Sequence, residues 1–157
     1  MTSVPGPAPG RREAGQQRRT LGLPFTALCG LALLGLPRVI LHDLDLVHEG
    51  TLVNLLLVVV PLVVWISVVV ARRVPNPFLT LLVVGLLYGV LLALTHQLLW
   101  GAAFEEPPAL GGNLSDLAPG NQTMIIRIFA TISSLFTGAI VGAVSGLIAW
   151  ALSRHRS

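Results

Sequence analysis

The chain has 157 residues, of which 54% are hydrophobic and only 11% charged. A soluble domain carries about 25% charged residues, so a water-soluble globule is excluded, and the length leaves room for one domain. The net charge of +3 does not point to nucleic acid. The basic residues stand at the ends of apolar runs without interleaved aromatics, as orientation in a lipid bilayer requires.

Residues 1–20 are rich in Pro, Gly, Arg and Gln and are expected to be a disordered cytoplasmic tail, because they cannot bury apolar surface. Arg18-Arg19-Thr20-Leu21-Gly22 loosely resembles a twin-arginine export signal, but the apolar run that follows, residues 21–41, is too long for a signal core. A spanning helix needs about 20 mostly apolar residues. Four segments meet that length: 21–41, 51–71, 78–100 and 125–152. The expected fold is therefore an all-α integral membrane four-helix bundle. Residues 42–50 form the first connection. Arg72-Arg73-Val74-Pro75-Asn76-Pro77 forms the second, where two close prolines stop a helix. Residues 101–123 form a long irregular loop, and 153–157 a short tail. Pro37 lies inside the first segment. Pro61 lies midway along the second and should kink it unless a neighbour satisfies the freed carbonyl.

Orientation follows from arginine, which supplies all ten basic residues. With four spans, Arg11, Arg12, Arg18, Arg19, Arg72, Arg73, Arg154 and Arg156 fall on one side, and Arg38 and Arg127 on the other. Six of the seven acids share the side of Arg38. This predicts both termini in the cytoplasm and the 42–50 and 101–123 loops outside. Trp100 and Trp150 near span ends fit interfacial aromatics. The absence of lysine points to a GC-rich, bacterial genome and hence to the plasma membrane. Asn113-Leu114-Ser115 and Asn121-Gln122-Thr123 are sequons on the outward loop, without meaning in a bacterium. The single cysteine, Cys29, lies in an apolar run and reads as a small hydrophobe.

Small residues recur every fourth position in the last segment: Ala130, Ser134, Gly138, Gly142 and Gly146. They share one helical stripe, where a second backbone can approach closely, and such approach drives helix association in lipid. Gly85, Gly89 and Ala93 repeat the spacing in the third segment, and Gly22, Thr26 and Gly30 in the first. Packing inside the bundle is expected over an intermolecular seam, with Gly142, at the centre, the most sensitive position.

Ionisable groups are absent from the span centres, apart from the neutral phenol of Tyr88. This argues against a proton-driven transporter, which places such groups at depth. They gather at the outward helix ends instead: Arg38, His42, Asp43, Asp45, His48, Glu49, His96 and Arg127, with Asn54 at the same level. His42, Asp45 and His48 are three apart and spread over roughly 200° of a helix, too wide for a metal-ligand face. A solvated loop is expected, with Arg38 and Arg127 paired to Asp43, Asp45 or Glu49. No metal or other cofactor and no catalytic residue is assigned, since nucleophile elbows, paired cysteines and phosphate loops are lacking. The expected protein is non-enzymatic, an accessory or self-associating bundle whose partners are the lipid bilayer and either copies of itself or a larger membrane complex. The alternative is a passive channel or metal/ion permease whose mouth is the outward His/Asp layer.

Overall fold

The computed structural model describes residues 20–103 and 108–155. The tail expected to be disordered, together with Glu105, Glu106 and Arg156, lies outside the described residues. Among them helices are the only regular secondary structure, with no strands. The helices are α1 (Phe25–Leu33), α2 (Leu36–Asp43), α3 (Leu52–Ala71), α4 (Pro77–Leu98), the single turn α5 (Trp100–Ala103) and α6 (Pro119–Arg154). α1 and α2 together make a 19-residue apolar stretch, so four helical segments are long and apolar enough to cross a membrane. They form a multi-pass membrane bundle.

Local chemistry explains where the helices start. Thr51 caps α3 by accepting from the Asn54 N–H at 3.2 Å. Asn76 does the same for α4 through the Leu79 N–H at 3.0 Å, with Pro77 as the first helical residue. Both are standard start signals. Pro119 opens α6 in the same way. The turn between α3 and α4 passes through Arg73 at φ 48°. Its buried Val74 packs under Gly22, where an added Cβ would lie 2.8 Å from the Val74 Cβ.

Contacts fix the course of the spans. Thr80 donates to the Leu21 carbonyl at 2.9 Å, and Asp43 meets His96. The first and third spans are thus matched start to start and end to end, and run parallel. Trp65 donates to the Leu31 carbonyl at 2.7 Å and Arg38 to Asn54, which makes the second span antiparallel to the first. The fourth is antiparallel to the third, with Gly146 beside Phe78 and Ser134 beside Gly89. The bundle is up-down-up-down. The third span is the most buried, and its pairing with the fourth is by far the most extensive in the protein.

Three elements differ from the sequence expectation. The first span is not one helix over 21–41: it breaks at Leu34-Gly35. Pro37 has no N–H for the Leu33 carbonyl, and its ring crowds that turn. The Leu31 carbonyl at the break is taken by the Trp65 indole. Gly35 sits so close to Tyr88 that an added Cβ would be 2.5 Å from its Cε2. The fourth helix begins at Pro119 and not at 125, and spans 36 residues. At 1.5 Å per residue it is about 54 Å long, well over the ~30 Å hydrocarbon core. Part of the loop expected to be irregular is tied down by Gln122. It accepts from the Leu110 N–H at 2.7 Å and donates to the carbonyls of Ser115 and Leu117 at 3.0 and 2.8 Å. α3 is a single helix from Leu52 to Ala71 with Pro61 inside it.

Candidate functional site

Cβ atoms added to Gly85 or Gly138 would each overlap the other residue's carbonyl oxygen. One on Gly138 would also stand 2.5 Å from the Gly89 Cα, and one on Gly142 2.7 Å from the Leu81 carbonyl oxygen. A Cβ added to Gly146 would lie 2.8 Å from the Phe78 carbonyl oxygen, and one on Gly89 3.0 Å from the Ser134 carbonyl oxygen. Two backbones touch along this line, and only glycine leaves room for them. The tightest point is Gly85–Gly138, one turn from Gly142. Ser134 is buried and satisfies its hydroxyl on the Ala130 carbonyl at 2.7 Å. Ala130 lies beyond the closest approach and lines a cavity at the end of the bundle opposite the 72–77 turn. The stripe of the first segment makes no close backbone contact within the described chain: Gly22 precedes the helix at φ 70°, and an added Cβ on Gly30 would meet nothing within 4 Å.

At the end of the bundle opposite the 72–77 turn, the parallel first and third spans bring Asp43 against His96. Asp43 Oδ2 is 2.7 Å from His96 Nδ1, and their side chains are 7% and 33% exposed. A carboxylate this buried, at the C-terminal end of α2 where the helix dipole opposes it, needs such a partner. The pair lies at the edge of a cavity of about 630 Å³, lined also by His42, Asp45 and Trp100. Asp45 adopts φ 55°, a left-handed conformation that Asp tolerates. The turn it makes folds the chain back over the end of α2, with the Leu46 N–H donating to the Leu41 carbonyl at 2.9 Å.

His42, Asp45 and His48 do not converge. His42 pairs with Glu49 at 3.6 Å and His48 with Asp45 at 3.3 Å. Both pairs are exposed and so of little energetic consequence. Among the described residues no three His, Cys, Asp or Glu side chains are placed to hold a metal ion.

The arginines also depart from expectation. Among the described residues neither Arg38 nor Arg127 pairs with an acid. Arg38 Nε donates to Asn54 Oδ1 at 3.1 Å. It precedes Asp43 by five residues, which turns it about 140° away around the helix and toward the second span. Arg127 donates to the Gln97 carbonyl at 3.1 Å and stacks 5.2 Å from the Trp100 ring centroid, while its Nε is buried without a partner. Gln97 returns two bonds, to the Arg127 carbonyl at 3.1 Å and to Thr131 Oγ1 at 3.0 Å. This clamp joins the C-terminal end of the third span to the fourth. Sequence reasoning missed Gln97, whose amide carries no motif. The signal available was its position one residue from His96 and one turn below Trp100.

A second cavity, of about 230 Å³, lies deeper, between the second span and the rest of the bundle. Arg38, Trp65, Tyr88, Pro61 and Thr137 line it. The Tyr88 ring packs edge-on to Trp65 with centroids 5.9 Å apart. No family model matches the chain, and no match was found among curated proteins or solved structures.

Proposed function

We propose that this chain is a non-enzymatic accessory protein of the membrane, a bundle that associates with copies of itself or with a larger membrane complex. The observation that carries this reading is the glycine seam. Backbone contact at Gly85 and Gly138 leaves no lumen between the third and fourth spans. Association would then use the outer faces, above all the second span, where Leu52, Val53, Leu55, Leu56, Val59, Val60 and Val63 are exposed. The arginine asymmetry supports cytoplasmic tails and a plasma-membrane location. Reporter fusions at residue 157 and within 72–77 should report cytoplasm, and one within 111–120 the outside. Cross-linking in native membranes, followed by identification of the linked proteins, tests the function. Defined adducts through the second span are expected. A monomer without adducts refutes the accessory role.

A second reading rests on the 630 Å³ cavity and its Asp43–His96 pair, which suit the mouth of a passive channel or ion permease. Ion flux into liposomes containing the pure protein, lost in His96→Ala, would favour it over the accessory role.

A further inference from the structure

We propose that the deeper cavity is a binding site for a carboxylate-headed amphiphile of the fatty-acid class, taken from the bilayer. The polar groups around it are incompletely used. Arg38 spends only Nε, on Asn54, which leaves the two terminal nitrogens of its guanidinium, and it pairs with no acid among the described residues. Two parallel N–H groups match the two oxygens of a carboxylate. Tyr88 and Thr137, both lining the cavity, make no hydrogen bond among the described residues. Pro61 has no N–H to offer the Leu57 carbonyl, and Leu57 lines the same cavity. A cation and several unmet polar groups at this depth in a bilayer are costly unless something answers them.

The remaining lining selects the ligand. Leu57, Val58, Leu62 and Val141 are apolar. Thr137, at the midpoint of α6, is exposed while lining the cavity, so the opening faces sideways into the hydrocarbon. A ligand entering there must be lipid-soluble, and one answering Arg38 must be anionic. The volume of about 230 Å³ is roughly eight times a water's share of the liquid. It holds a carboxylate and the first few methylenes of one chain, with the rest in lipid. Gly35 keeps the Tyr88 ring in position, since any side chain there would strike it. The site needs only that the spans lie in lipid and does not rest on either functional reading above.

The test is equilibrium binding of radiolabelled stearate to the full chain in nanodiscs of zwitterionic lipid. Saturable binding of about one molecule per chain is expected, displaced by unlabelled stearate but not by its methyl ester. Arg38→Gln should weaken it about tenfold, and Arg38→Lys less, because only the charge is kept. Should Arg38→Gln fail to fold, Val58→Phe fills the cavity from a half-exposed position and should abolish binding with Arg38 intact. Brominated stearate should quench Trp65 in the Trp100→Phe/Trp150→Phe protein, which places the ligand at this cavity. Competition by the ester equal to that of the acid overturns the proposal. So does stronger competition by phosphatidylglycerol, which would mean a lipid-phosphate site, or a lack of saturable binding, which would mean a cavity holding water only.

Discussion

Gly138→Ala should be among the most damaging single-methyl changes in this protein. The added Cβ would overlap the Gly85 carbonyl oxygen and stand 2.5 Å from the Gly89 Cα. Both are backbone atoms and cannot rotate aside. Ordinary contact needs about 3.4 Å or more, so the third and fourth helices must separate by roughly 1 Å. A gap of that size forfeits about a quarter to a half of each affected dispersion contact. Overpacking of this kind costs about 1–3 kcal/mol, and rigid backbone puts it near the upper end, about 3. Alanine's better helix propensity returns about 1 kcal/mol. The net loss is about 2 kcal/mol, roughly a 30-fold fall in the folded-to-unfolded ratio. Gly30→Ala is the control: the same chemistry in a helix where the new methyl meets nothing within 4 Å. It should be neutral, or stabilising by up to about 1 kcal/mol. Reversible unfolding in mixed micelles, followed by circular dichroism, measures both. Equal effects at the two sites, or an unchanged Gly138→Ala protein, would refute the backbone-contact account. Gly142→Ala should be milder than Gly138→Ala, since its closest backbone neighbour is 2.7 Å away.

Further substitutions test the end of the bundle opposite the 72–77 turn. His96→Ala should destabilise by leaving Asp43 buried without its partner, and Asp43→Asn should relieve it. A double-mutant cycle by the same unfolding assay should show a coupling of about 1–3 kcal/mol, and additivity would mean that the 2.7 Å contact carries no energy. Replacing His42, Asp45 and His48 together by Ala should alter stability by no more than about 0.5 kcal/mol. Stoichiometric metal in the purified wild type, lost in that triple variant, would overturn the solvated-loop account. Gln122→Leu removes three hydrogen bonds to backbone and should expose residues 108–118 to protease, at a cost of about 2 kcal/mol. Unchanged cleavage would show that the loop is held by other means.

The sequence by itself determined the class and the number of spans. Those depend on runs of apolar residues long enough for a bilayer, and a run is a one-dimensional property. The four-residue spacing of Gly85, Gly89, Gly138, Gly142 and Gly146 was legible for the same reason, since helical periodicity converts spacing into a face. Only the tertiary structure decided which stripes meet. Gly22 and Gly30 carry the same spacing, yet they have no backbone opposite them, because the first span starts later and breaks before Pro37. Partner choice among the polar groups was also beyond the sequence. Arg38, Asp43 and His96 sit at one level in any four-span arrangement. Which of these groups meet turns on rotation of α2 about its axis and on the parallel match of the first and third spans. These are angular quantities that no local pattern encodes. The deeper cavity has the same origin: Gly35 of the first span, Pro61 of the second and the Tyr88 ring of the third come together there.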